Sequence, residues 1–335
     1  SGMFHPYDGT DAPSIISRSG FGARGALKPD VLSPGGRPRA RITAAGDDTR
    51  LRVMDVFREE DALIAAAPPA GVLGPGIGPS YGTSPAAAAV TRLAVQTVLG
   101  LEAEDGPYPD GLSRRDRALL AKALITHSAG WGETAGAIAN AVRAREPDTA
   151  WQHWRSGAAR LVGWGAADPV RAVASDDNRS TSVGLGEVRR DKGVVFSVPL
   201  PDPLNVALTP RRLLLTLAWF SPMSPWRSKH ALARLQGDIV GAEKIGIGAA
   251  ERFGANEAAL GPPPHFGRRS SVWSASFFGE RAVPIGPEDN LEVRVSCFAD
   301  PLIDQPVPFA LAVTFETEAG VAIYQSVANR LRISP

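Results

Sequence analysis

Apolar and polar positions follow two different rhythms along this chain, and the change falls near residue 175. Ahead of it, Tyr81-Gly82-Thr83-Ser84-Pro85 leads into four alanines and then Val90, Leu93, Ala94, Val95, Val98 and Leu99. The residues after Ser84 favour helix, and Pro85 suits a first helical position because its missing N–H would have had no partner there. Small or apolar residues on both faces place this helix near the middle of its domain. Ser113 is suited to cap a second helix over 114–128, with Leu119, Leu120, Ala123 and Leu124 on one apolar face. A short helix is expected over 169–173, opened by Pro169.

The segments before residue 81 are shorter. Residues 15–18 read as a strand, 29–32 as a connector held extended before Pro29, and 40–43 with 51–56 as a hairpin turning at Gly46-Asp47-Asp48. A short apolar run over 61–67 precedes Pro68-Pro69 and a glycine-rich approach to Ser84 over 71–78. That approach lacks the Gly-Lys-Ser/Thr ending of a phosphate loop, so it is not read as one.

Past residue 175 the rhythm becomes alternation. Segments 181–188, 193–200, 212–220, 271–278, 290–298, 307–317 and 321–326 read as strands between Pro- and Gly-containing turns, the pattern of an antiparallel β-sandwich. Arg189-Arg190-Asp191-Lys192 reads as a solvated hairpin turn, and Trp226-Arg227-Ser228-Lys229-His230 as a long connection or a partner-binding loop.

Composition narrows the function classes. With 335 residues, 44% of them hydrophobic, the chain can build two cores, taken here as residues 1–174 and 175–335. A formal net charge of +1 argues against nucleic acid or a membrane surface as a partner recruited by bulk charge. No apolar run approaches the roughly 20 residues of a bilayer span. The single cysteine, Cys297, allows no internal disulfide or cysteine-rich zinc site and mildly favours a reducing cytoplasm. Asp176-Asp177 and Asp300 with Asp304 lack a ligand-spaced set and read as turn formers, so no metal and no cofactor is expected. His127, in the last turn of its helix, reads as a cap or a dipole partner.

The candidate chemistry centres on Ser84. At a helix N-terminus, unpaired N–H groups and the positive end of the helix dipole favour the negative charge that a serine nucleophile's tetrahedral intermediate develops. The same residue type is also a common helix cap. Its company carries more: Ser14-Ile15-Ile16-Ser17 before a loop, Lys28-Pro29-Asp30-Val31-Leu32-Ser33-Pro34-Gly35, then Gly82-Thr83-Ser84, then Gly163-Trp164-Gly165. In this order and rough spacing they resemble the subtilisin-like serine proteases. The half beyond residue 175 likewise resembles the β-sandwich appended to many bacterial subtilases, through Leu217-Ala218-Trp219-Phe220-Ser221-Pro222 and Phe309 to Thr314.

The resemblance implies an α/β fold, a partial three-layer subtilisin-like core with a parallel sheet, followed by the antiparallel sandwich. It implies Ser84 as catalytic nucleophile, the Ser84 backbone N–H as an oxyanion donor, Gly82 and Thr83 as motif support, and a polypeptide as substrate. That family reads Asp, His, Ser in chain order, and only His5 precedes Ser84 here, outside any His-Gly-Thr-His motif. The expectation is therefore the C-terminal part of a longer protease, whose Asp, His and oxyanion Asn lie upstream. The alternative is a degenerate, non-catalytic protease core whose sandwich binds another protein.

Overall fold

The computed structural model describes residues 3–4, 13–18, 20–22, 26–45, 48–54, 63–66, 76–145, 151–200, 211–224, 226, 231–240, 270–279, 290–317, 323 and 332–333. The first half opens with an antiparallel three-stranded sheet of β1 (Met3–Phe4), β2 (Ala40–Ala45) and β3 (Asp48–Val53), in which β2 and β3 form the hairpin expected there. A second small hairpin joins β4 (Leu63–Ala66) to β5 (Ile77–Ser80) just ahead of α1 (Thr83–Leu101). Then come α2 (Arg114–Ser128), α3 (Glu133–Arg145), α4 (Trp151–Val162) and α5 (Pro169–Val173). The Ser113 hydroxyl accepts from Asp116 N at 3.2 Å and caps α2, while the Asp168 carboxylate accepts from Val170 N and Arg171 N and caps α5.

The second half contains β6 (Arg179–Val188), β7 (Gly193–Pro199), β8 (Arg211–Trp219), β9 (Ala233–Val240), β10 (Val272–Gly279), β11 (Asn290–Ala299), β12 (Val307–Thr317) and β13 (Arg332–Ile333). They form two antiparallel sheets, ordered β10-β8-β12-β6 and β13-β7-β11-β9. Alternate residues of each face one another across an apolar core: Leu213, Leu215, Leu217 and Trp219 of β8 and Phe309, Leu311 and Val313 of β12 meet Phe196, Leu235, Val293 and Val295. Phe196 and Phe309 pack edge to face with centroids 5.7 Å apart, the arrangement aromatic rings prefer.

The other face of the first sheet is covered by α2, so the two halves share an apolar cluster. Leu119, Leu120, Ala123 and Leu124 pack with Val183, Ala218, Val272, Ala310 and Ala312. Register grades this sheet face from apolar to charged. Val272, Ala218 and Ala310 form one row, Ser274, Thr216 and Ala312 the next, then Ser276, Leu214, Thr314 and Thr181, and finally Arg212, Glu316 and Arg179.

His127 projects from the last turn of α2 into the hydroxyl rows. Its Nδ1 lies 2.8 Å from Thr216 Oγ1 and its Nε2 2.6 Å from Thr314 Oγ1. Thr314 in turn meets Thr181 Oγ1 at 2.7 Å, and Thr216 meets Ser274 Oγ at 3.0 Å. A neutral imidazole donates one bond and accepts one, and hydroxyls can play either role, so the buried ring is fully satisfied.

Backbone crossings explain the Gly163-Trp164-Gly165 motif. Trp164 N donates to Asp30 O at 2.9 Å, Leu32 N to Gly165 O at 2.8 Å, and Ala167 N to Leu32 O at 2.9 Å, while Ala166 pairs with Gly130. A Cβ at Gly163 would stand 2.1 Å from Pro29 O, and one at Gly165 2.0 Å from Gly130 O. Both glycines also have positive φ, 59° and 108°.

The described strands of the first half pair antiparallel, and the parallel pairing among the described residues is the single bridge between Leu32 and Ala166. Several expectations are corrected. The stretch 15–18 holds a turn, with Ser17 N donating to Ser14 O at 2.8 Å, because the Ser14 carbonyl is satisfied locally. Helix α1 begins at Thr83 behind Gly82, so Pro85 is its third residue. It is not central: only the stripe Leu93, Thr97 and Leu101 is buried, while Val95 and Leu99 on the opposite face are exposed. Residues 189–192 form no hairpin, since β6 and β7 belong to different sheets. Strand β9 was unforeseen. Its Gly237 is a poor strand former, present because the Trp273 ring lies where a Cβ would be, 2.6 Å away. The expected strand over 321–326 and most of the glycine-rich run fall outside the described residues.

Two predictions follow from these contacts. Gly165→Ala should destabilise the fold by ~2–4 kcal/mol through strain and overlap, read as a lower denaturation midpoint; an unchanged midpoint would mean that the crossing is loose. The second concerns acid. Burial, and then Arg171, Arg212 and Arg179, push the His127 imidazole down from 6.5 to about 3. The unfolded chain therefore binds one more proton between these values, so stability is complete above pH 6.5 and falls as pH drops toward 3, by at most about 1.4 kcal/mol per pH unit. Replacing it by a non-titrating His127→Gln should flatten urea-unfolding stability between pH 6.5 and 4.5 relative to the parent; parallel curves would refute the assignment.

Candidate functional site

Ser84 is the second residue of α1, and its side chain is exposed. The turn before it is built on Gly82, whose φ of 127° suits glycine alone and whose N–H donates to Gly35 O at 2.6 Å. The approach is close: a Cβ at Gly35 would lie 2.4 Å from Gly82 O and 3.1 Å from Ala86 Cβ. The Pro34-Gly35-Gly36 turn thus lies against the mouth of α1. Upstream in the same connector, Val31 packs against the cluster of Leu93, Ile125 and Ala172. The pieces Lys28–Gly35, Gly82–Ser84 and Gly163–Gly165, far apart in sequence, are joined by direct contacts.

The electrostatics at Ser84 are those of a bare helix end. No side chain caps α1, and its first turn holds no acidic residue. The Ser84 hydroxyl has no hydrogen-bond partner among the described residues. Thr83 beside it is also exposed. An oxyanion formed on a carbonyl attacked by Ser84 Oγ would lie near first-turn N–H groups and the positive end of the dipole.

A base for that serine is not found among the described side chains. His127 has both ring nitrogens bound to sheet threonines, so it is structural, and its role is a bridge to the sheet rather than a helix cap. The side chains of His5, His153, His230 and His265 lie outside the described residues. No group of three or more metal-ligating side chains occurs among the described residues. Asp300 accepts from Leu302 N at 3.1 Å, as a turn former does. Cys297 is buried in β11, and burial pushes its thiol up to about 11, which makes it inert. No helix among the described residues is long and apolar enough to cross a membrane.

Two polar groupings escaped sequence reasoning because they join distant segments. Lys122 of α2, largely buried and lowered by that burial, donates to Ser271 Oγ at the start of β10. Arg171 and Arg212 meet Glu316 at the end of the first sheet, with Arg179 its register neighbour. Near the end of β8, Trp226 stands 93% exposed, with Met223 and Phe220 also open to solvent; residues 227–230 lie outside the described residues.

No family model matches the chain. A curated relative, "Uncharacterized protein y4bN" of Sinorhizobium fredii (strain NBRC 101917 / NGR234), is 29% identical over 221 residues, covering 59% of this chain and 51% of that protein. The chain therefore spans about half the length of the curated relative it matches.

Proposed function

We propose that this chain carries the nucleophile of a serine endopeptidase of the subtilisin type, with Ser84 as the acylated residue. The observation that supports it most is the setting of Ser84: exposed on an uncapped helix N-terminus, with the Pro34-Gly35-Gly36 turn packed against that end. In this reading Ser84 Oγ attacks the scissile carbonyl carbon and its proton passes to an imidazole. The Ser84 N–H and an Asn side chain hold the oxyanion, the amine leaves with the proton, and water then releases the acyl group. The resemblance assigns the imidazole, its orienting Asp and the Asn to an upstream segment, and His127 is engaged elsewhere. The parallel-sheet core belongs to this proposal, as does a cytoplasmic location, which rests on the lone cysteine.

The exposed faces of Phe220, Met223, Trp226 and Leu302 favour a second reading, in which the sandwich binds another protein and the Ser84 half is non-catalytic.

The two separate experimentally. In the full-length parent protein, Ser84→Ala should reduce peptide hydrolysis by several orders of magnitude and abolish labelling by a serine-directed phosphonate. Stability should change by no more than about 0.5 kcal/mol, because the hydroxyl is exposed and Ala favours helix. Retained hydrolysis and labelling in that variant would remove Ser84 as nucleophile. Absence of both in the unaltered parent would leave the binding reading. The 335-residue chain by itself is expected not to turn over peptides, since a serine hydroxyl needs an adjacent base; robust turnover would mean that one of its own histidines reaches Ser84.

A further inference from the structure

The charged row that ends the helix-facing side of the first sheet is unbalanced. Arg212 of β8, Glu316 of β12 and Arg179 of β6 are register partners, so their side chains leave the sheet on one side, at strand spacings of about 4.8 Å. Arg171 reaches in from α5 and donates from Nη2 to Glu316 Oε2 at 2.8 Å, while Arg212 Nη1 stands 3.8 Å from the same oxygen. Arg212 Nε donates instead to Ser276 Oγ at 3.0 Å.

Arg179 is the odd member. It is 6% exposed, yet it turns from its cross-strand neighbour Glu316 and donates from Nη2 to Ala174 O at 2.8 Å. Its Nε is buried without a partner. Two further carboxylates feel this guanidinium, Asp168 and Asp176. The first is committed to the N–H groups that open α5, and the second is exposed. Only Arg171 and Arg212 thus reach a carboxylate directly, Glu316, while Arg179 feels Glu316, Asp168 and Asp176 without an ion pair to any of them. Burial first, and Arg171 after it, oppose the charged forms of both Arg179 and Arg212. A cation taken from water and left partly paired is destabilising unless something completes it.

We propose that this junction of α5 with the ends of β6, β8 and β12 binds a phosphate dianion, free or as a phosphomonoester, between Arg171, Arg179 and Arg212. A dianion supplies the directly bonded acceptor that these guanidiniums share incompletely, and the tetrahedral oxygens suit forked donors arriving from different directions. The Arg179 Nε gains an acceptor. Glu316 sets the orientation of Arg171 and competes with the ligand for it. Arg171 and Arg212 are partly exposed, so an ion has a way in. The proposal does not rest on the peptidase reading.

Calorimetric titration and thermal melting of the 335-residue chain test it, with inorganic phosphate and O-phosphoserine as probes at ionic strength held constant with chloride. Phosphate should raise the melting temperature above that in chloride. Arg171→Ala and Arg179→Ala should each weaken binding roughly tenfold or more. Arg115→Ala, whose partner Glu187 lies toward the opposite end of β6, should bind as the parent does. Glu316→Gln should bind more tightly, because a competing carboxylate is gone; a purely structural ion-pair cluster would instead lose stability and gain no affinity. If Arg179→Ala fails to fold, the partly exposed Arg171 carries the test. Tighter binding of O-phosphoserine than of phosphate would identify a phosphomonoester site, and equal binding a site for the free ion. Equal melting in phosphate and chloride, or equal weakening by Arg115→Ala, would overturn the proposal.

Discussion

Burial of α2 against the outer face of the first sheet is the contact on which the rest of this molecule depends. That sheet is apolar on both sides: Leu213, Leu215 and Leu217 point into the sandwich, while Ala218, Ala310 and Val272 point toward α2. A sheet face of this kind left in water would lose much of the burial that stabilises it, at about 25 cal/mol for each Å² exposed. Leu119, Leu120, Ala123 and Leu124 supply the cover, and α2 then becomes the surface on which α1 and α5 rest through Leu93, Ile125 and Ala172. The helices around Ser84 are thereby fixed relative to the sandwich, although they belong to a different part of the sequence.

The same face shows how polarity is tolerated at a helix–sheet contact. Beyond the apolar rows the sheet offers Thr216, Thr314, Thr181 and Ser274, and α2 answers with His127. Hydroxyls adapt as donor or acceptor, so the ring can stay neutral and satisfied while wholly buried. Nearer the edge, where water reaches, the side chains become Arg212, Glu316 and Arg179. The gradient follows dielectric for Arg212 and Glu316, which solvent still reaches, whereas Arg179 is buried and donates to Ala174 O.

At the opposite side of the helical half, α1 is set by close backbone approach. Gly35 against Gly82, Gly163 against Pro29 and Gly165 against Gly130 leave no room for a Cβ. These glycines bring the ends of three loops within hydrogen-bonding distance of one another. The resulting helix end presents Ser84 without a cap, an arrangement that gives up some helix stability and keeps N–H groups available.

What could be known from the sequence was whatever rests on local chemistry. Ser113 ahead of an apolar stripe defined α2, Pro169 marked the start of α5, and alternation defined β6, β8, β11 and β12, because capping and periodicity act over a few residues. Ser84 could be singled out by its neighbours, and its exposure at a helix start follows from the same local rules. Tertiary structure alone decided the rest. Whether α1 was central or peripheral depended on what packs against Val95 and Leu99, and whether residues 189–192 closed a hairpin or crossed between sheets depended on partners elsewhere. Gly237 became part of a strand because Trp273 needed its space, and the guanidiniums of Arg171, Arg179 and Arg212 met only through strand register and the docking of α5. Each of these outcomes depends on long-range pairing, and no spacing along the chain encodes which distant residue will supply the missing neighbour.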